Sequence, residues 1–277
     1  MTVIVTASAA FGLTVLDAKT EIMSLQTKGE GHVPFTVTAA GQVYKQTAEF
    51  VYLGGAISAD WDLRSVEVTR RIQMAWACFG RYKMGMYDRP SVRLRLKVRI
   101  LQAEVLETLQ YEYSAWSPSK ADYDRLRKVH HWMLLGCPGW RKLKREDCIL
   151  YAPRRTDSES VETTLRRRRI LFAGFVARMG EERLPRRVMV GEMLGSKGYS
   201  GGQKWDWMKD LEEDLKAFGI TFEGWREAAH KVGRWYRRVE DGAEVFMRKW
   251  HKDEKEATAK RHRTVATTTP TLSLIHI

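Results

Sequence analysis

The sequence predicts an α+β chain that is mainly α: a small strand-rich part over residues 1–58, then helices to about residue 263. Two observations carry this expectation. Up to residue 58 the apolar residues alternate or fall in short β-branched runs separated by glycine, as strands do. From about Asp62 they recur every three or four positions, as on the buried face of a helix.

Within 1–58, Leu13–Val15 and Thr20–Met23 read as strands around a turn at Asp17-Ala18-Lys19. Phe35–Thr38 and Glu49–Leu53 alternate as strands too, with a turn at Ala40-Gly41 between them. Ile72, Ala75, Trp76, Phe79, Tyr82 and Met86 then line one helical face, and Pro90 interrupts it. The run VRLRLKVR (92–99) alternates like a strand. Yet Leu94, Val98, Leu101, Val105 and Leu109 share a helical face, and the uninterrupted length favours helix.

Ser117-Pro118 has the chemistry of an N-cap and first turn, opening a helix through about Leu135 with Tyr123, Leu126 and Val129 inward. GCPG (136–139) ends it, and 141–157 is basic and loop-like. Asp157, Ser158, Glu159 and Glu162 form an acidic entry to a helix through Met179. The loop GSKGYSGG (195–202) lacks a GK[ST] step, so it is a flexible loop and not a phosphate cradle. Lys204–Phe218 is amphipathic and stops at Gly219, with Glu212, Glu213 and Asp214 expected on its solvated face. A last polar helix covers about 221–262.

A hydrophobic content of 44% excludes global disorder. The formal net charge of +13 and pI near 9.7 point to a polyanionic partner. The excess is local: residues 120–190 hold 18 Lys and Arg against 9 Asp and Glu, a net of +9. Three cysteines, Cys78, Cys137 and Cys148, without a CxxC pair argue against a disulfide framework or a tetrathiolate zinc site. His130 and His131 precede Cys137, but that spacing is not a usual zinc set. No apolar run reaches the ~18 residues of a spanning helix, and the N-terminal stretch lacks the charged region of a secretory signal. A membrane is therefore not an expected partner, and an intracellular place, nuclear or cytoplasmic, fits best.

Several pieces occur in one order. Phe50-Val51-Tyr52-Leu53-Gly54 is followed by Ile57-Ser58. Upstream lies FGLTVLDAKTEIM (11–23); downstream lie Ile72 with Phe79-Gly80, then RRRRILFAGFVARM (166–179), RLPRR (183–187) and Gly191-Glu192. Together, over roughly residues 10–220, they resemble the C-terminal part of the reverse transcriptase of non-long-terminal-repeat (LINE-type) retrotransposons.

The resemblance implies a palm remnant with a primer-grip hairpin over 1–58 and a helical thumb over 59–150. A basic helical extension would cover 151–220, a polar helical tail 221–263, and a disordered tail 264–277. The end of that tail, LSLIHI from residue 272, resembles the translation of a sequencing-library transposase adapter.

The same resemblance implies a primer grip formed by Phe50, Tyr52, Leu53 and Gly54. A strand that ends on glycine would let backbone approach nucleic acid closely. The plainer reading is a core strand and its turn. Lys19 matches the family's palm lysine, a general acid near the leaving pyrophosphate; the plainer reading is a solvated turn lysine. Arg166, Arg167, Arg168 and Arg169 form the densest positive block. They are candidates for phosphate contact, with a solvated charged face as the alternative. Arg93, Arg95, Lys97 and Arg99 could face a primer–template duplex. Trp132, Trp140, Trp205 and Trp207 could stack on bases, although core packing is the commoner use of tryptophan.

One departure from the family is decisive. Its aromatic-Ala-Asp-Asp turn is absent, and would lie before Met1 with the fingers and any endonuclease. Asp60 and Asp62 follow the primer grip and suit helix capping instead. The complete polymerase would need Mg²⁺; this chain supplies no metal site and no cofactor. RNA template and DNA primer are the expected partners. The chain would thus be a polymerase fragment that positions primer and template, inactive alone. The alternatives are a stand-alone basic nucleic-acid-binding module, an interaction protein, or a non-functional retrotransposon remnant.

Overall fold

A computed structural model of the chain describes residues 1–16, 19–24, 35–39, 41–58, 63–115, 118–136, 158–190 and 207–268. The fold is α+β and mainly α, with a few short strands near the N-terminus. It divides into two compact units, Met1–Gln73 and Met74–Ile277, with the boundary inside one helix.

The first unit opens with α1 (Thr2–Ala10), which buries no residue. A helix here, and no strand over Leu13–Val15, corrects the expectation of a mostly extended segment. Val3, Ile4 and Val5 favour strands, but none of the described strands pairs with them. Local helical bonds, aided by Ala7, Ala9 and Ala10, satisfy the backbone instead.

Strand β1 (Glu21–Ile22) pairs in parallel with β3 (Gln42–Gln46), and β2 (Val37–Ala39) pairs antiparallel with it. Ala39 and Tyr44 face inward while Val43 faces solvent, the alternation expected of a sheet with one covered face. Strands β4 (Glu49–Tyr52) and β5 (Gly55–Ser58) form a separate hairpin.

Helix α2 (Leu63–Tyr82) runs from the first unit into the second, where Ala75, Cys78 and Phe79 are buried. A π-helical turn (Lys83–Tyr87) follows, and Phe79 stacks on Tyr87 with ring centres 4.6 Å apart. VRLRLKVR is helical from Leu94 onward, as its apolar face required. Helix α3 (Leu94–Ile100) passes through a π-helical stretch (Leu101–Leu106) into α4 (Glu107–Leu109), and Val98, Leu101, Val105 and Leu109 are all buried.

The next helix, α5 (Lys120–Gly136), is capped by Ser119; Ser117 lies outside the described residues. Ser119 Oγ accepts from the Asp122 amide at 3.2 Å, while Asp122 Oδ2 accepts from the Ser119 amide at 3.3 Å and from its hydroxyl at 2.7 Å. This is a reciprocal capping box with aspartate at the third position. Helix α6 (Val161–Ala177) starts the same way, with Ser160 Oγ accepting from the Thr163 amide at 3.1 Å.

Helices α7 (Leu184–Val190), α8 (Trp207–Ala217), α9 (Trp225–His230) and α10 (Val232–Thr268) complete the chain. Gly219 stops α8 as expected, at φ 70°, with the Ile220 amide bonded back to the Leu215 carbonyl at 2.8 Å. The expected polar helix over 221–262 is corrected. It is two helices, and Trp225, Ala229, Trp235, Val239 and Ala243 join Ile170, Leu211, Leu215 and Phe218 in the core. Their spacing was helical, but abundant charge on the other face masked it. At the centre of this core Gly174 faces the Trp235 indole, where an added Cβ would lie 2.2 Å from Nε1.

Candidate nucleic-acid interface

The hairpin is built from a two-residue loop. Tyr52 pairs with Gly55, leaving Leu53 and Gly54 at the tip with φ of 50° and 90°. Positive φ at both central residues is the turn whose twist suits a hairpin, and its preferred first residue is Asn, Asp or Gly. Leucine there is strained by ~1–2 kcal/mol, because its Cβ crowds the following carbonyl. Tyr52 is 60% exposed and Leu53 74% exposed, and Phe50 stacks beside Tyr52 at 6.5 Å.

Helix α2 holds this tip within the first unit. Arg70 Nη1 donates to the Gly54 carbonyl at 2.7 Å, and Arg71 donates to the same oxygen. Glu67 accepts from the Ala56 amide at 2.8 Å and from Arg71 Nε. Glu67 and Arg71 are both buried, so their charges neutralise each other under the hairpin. Sequence reasoning found the hairpin but missed Glu67, Arg70 and Arg71. The signal was an acid and two bases at helical spacing just after the strand pair, indistinguishable in a string from an ordinary exposed i,i+4 pair.

The other candidates divide in two. Arg93, Arg95 and Arg99 are exposed, and so is Lys19. Lys97 is buried, with its ammonium donating to the Tyr87 carbonyl at 2.7 Å. Winding the alternating string into a helix sends one base inward among three outward ones.

The arginine block is bound up within the chain. Arg166 pairs with Asp214 at 2.5 Å, and Arg169 pairs with the same carboxylate at 2.9 Å. Arg167 reaches Glu159 at 2.9 Å and Glu240 at 3.2 Å. Arg168 reaches Glu107 at 2.6 Å and the Gln110 carbonyl at 3.0 Å. Four successive arginines point in four directions around a helix, and each meets a different element or a shared acid.

Asp214 is therefore not on a solvated face, as expected of the Glu212-Glu213-Asp214 run; it is 2% exposed, while Glu212 and Glu213 remain outward. Burial pushes its carboxyl up to about 6, against the pull of Arg169 and Arg166. In α5, burial pushes His130 down to about 3 and His131 to about 4; mutual repulsion with His131 adds to the first and the Arg127 guanidinium to the second.

Trp207 is half-buried, donating to the Ser114 carbonyl at 3.0 Å, and Trp132 is 53% exposed. Trp140, Trp205, Asp60, Asp62, Cys137 and Cys148 lie outside the described residues. Among the described residues no three His, Cys, Asp or Glu side chains converge as metal ligands, and no helix is long and apolar enough to cross a membrane.

A transposon-derived protein of Caenorhabditis elegans is 25% identical over 234 residues, covering 81% of each chain. No protein family and no solved structure matches the chain.

Proposed function

We propose that the chain is the C-terminal part of an RNA-directed DNA polymerase of a non-LTR retrotransposon, and that it positions primer and template. The observation that carries this reading is the hairpin tip: a strained, exposed Leu53 beside Tyr52, on a turn clamped from below by Arg70 and Arg71. Strain that persists because the surroundings over-determine it is a mark of functional positions. The ordered motifs and the transposon-derived relative agree with it.

In this reading Tyr52 and Leu53 lie against the sugar of the primer's last nucleotide, and the Gly54 backbone approaches its phosphate. Clamping matters because an ~1 Å misplacement of a reacting end can cost ~10²-fold in rate. Lys19 would serve only beside the metal-binding carboxylates of a complete palm. Arg93, Arg95 and Arg99 would face the duplex behind the primer end. Magnesium would supply activation of the primer hydroxyl when bound by those carboxylates.

The test is a primer–template duplex carrying 2-aminopurine at a recessed primer 3′ end. The intact chain is expected to change its fluorescence, and Tyr52→Ala with Leu53→Gly to abolish that change. Equal binding to blunt and recessed duplexes, with no response at the 3′ end, would sink this reading in favour of a plain nucleic-acid-binding module.

A further inference from the structure

The arginine block at 166–169 was the natural place to look for a phosphate-binding surface, but its charge is neutralised by Asp214, Glu159, Glu240 and Glu107. Positive charge with few ion-pair partners among the described residues lies on α10. That helix buries Trp235, Val239, Gly242 and Ala243 on one side. On its opposite face, steps of three and four residues bring Arg234, Arg237, Arg248, Lys252 and Lys255 into one line. All five are exposed.

Arg234, Arg237, Lys252 and Lys255 meet no carboxylate within ion-pair distance among the described residues; Arg248 pairs with Glu244 at 3.2 Å, in water. Two acids, Asp241 and Glu244, interrupt the line at its middle and split it into an Arg234/Arg237 group and an Arg248/Lys252/Lys255 group. At ~1.5 Å rise per residue, Arg234 and Lys255 stand ~32 Å apart. That is close to one turn of a duplex, ~34 Å.

We propose that this face of α10 is a docking rail for the phosphate backbone of a nucleic-acid duplex. Charge complementarity gives the ligand class, since arginine and lysine without internal partners bind phosphate at little internal cost. The spacing gives the form, since the outermost charges of the line, Arg234 and Lys255, stand about one duplex turn apart. No aromatic residue lies on the line, and single-strand binders use aromatic platforms for the bases, so the duplex is the occupant. The site is separate from the hairpin and from α3, and does not rest on the polymerase reading.

The experiment is equilibrium binding of the whole chain to a fluorescent duplex of about 20 base pairs, titrated over salt. Each phosphate contact contributes ~0.9 to the slope of log K on log salt. The variant Arg234→Gln/Arg237→Gln/Lys252→Gln/Lys255→Gln is expected to bind at least about tenfold more weakly at moderate salt and to flatten the slope by roughly 3 to 4. The Arg→Lys pair at 234 and 237 should keep the slope, and an unchanged melting temperature for all variants excludes misfolding.

The control Arg93→Gln/Arg95→Gln/Arg99→Gln reports on the α3 surface of the polymerase reading. Loss there but not in the α10 variant overturns the rail while sparing that reading. A wild-type chain that prefers single strands, or binds phosphatidylserine vesicles and not duplex, also overturns it.

Discussion

Asp214 and Arg169 lie 2.9 Å apart, each only 2% exposed, and Arg166 approaches the same carboxylate from a second side. One acid thus pairs with two members of the densest basic block in the chain, and Asp210, 3.8 Å from Arg169, supplies the second negative charge. Breaking a buried pair leaves an uncompensated charge. Asp214→Ala should therefore destabilise the chain by about 3–5 kcal/mol, measured by denaturant unfolding. If the loss is below about 1 kcal/mol, as for exposed pairs, the arginines are held some other way.

Gly174 is required by Trp235. An alanine Cβ at 2.2 Å from the indole cannot fit, and Trp235 is itself 1% exposed and hemmed in. Gly174→Ala should lower stability by about 1–3 kcal/mol through overpacking. Adding Trp235→Phe, which opens space, should recover part of that loss. A double variant less stable than the sum of the singles would refute the steric account.

Leu53 occupies a backbone region that favours Asn or Gly. Leu53→Asn should raise stability by roughly 1 kcal/mol. The same change should weaken the 3′-end fluorescence response described above. A gain in stability with the response intact would show that the strain serves no positioning role.

Acid should destabilise the chain below neutrality. His130 and His131 are held neutral when folded, at about 3 and about 4, but titrate near their ordinary 6.5 when unfolded. Their contribution is complete above about pH 6.5 and is lost as pH falls toward 4. Asp214 works in the opposite sense. Its folded pKa of about 6 is raised, so its contribution is full at acid pH and declines as pH rises through the window from about 4 to 6. Two histidines outweigh one aspartate, and the net loss from pH 7 to pH 5 is on the order of 2 kcal/mol. Denaturant midpoints at the two pH values check the sign. The double variant His130→Gln/His131→Gln should show the slope of Asp214 alone.

Glu67 is the acid beneath the hairpin. Glu67→Ala removes the partner of the Ala56 amide and the ion-pair partner of buried Arg71, and should cost about 3 kcal/mol. Amide exchange at Ala56 and Ile57 should quicken more than at Val43 in the other sheet. Uniform quickening would mean that Glu67 supports the whole unit and not the hairpin in particular.

The helices were legible wherever an apolar face ran unbroken, as for Val98, Leu101, Val105 and Leu109. The hairpin was expected from the primer-grip resemblance of Phe50 to Gly54, and turn chemistry alone did not mark it, because leucine is not the usual first residue of such a turn. Three things were not legible. Val3, Ile4 and Val5 carry strand propensity, but whether a partner strand exists is a tertiary fact, so α1 could not be foreseen. Asp214 stands beside Glu212 and Glu213, and only the helix's rotation against α6 decides which of the three turns inward. The arginine block advertised a binding surface in the string, yet three of its acids, Asp214, Glu240 and Glu107, come from positions 45 or more residues away, and only Glu159 is near in sequence. Pairing over that separation leaves no local mark.

Lys97 has a practical consequence. The residue is 6% exposed and its ammonium donates to the Tyr87 carbonyl, while Arg93, Arg95 and Arg99 are exposed. In covalent footprinting with an amine-reactive ester, Lys97 should stay unlabelled in the free chain. Its silence in a nucleic-acid complex would then say nothing about contact. Labelling that appears there would instead time the opening of α3 away from the turn that ends α2.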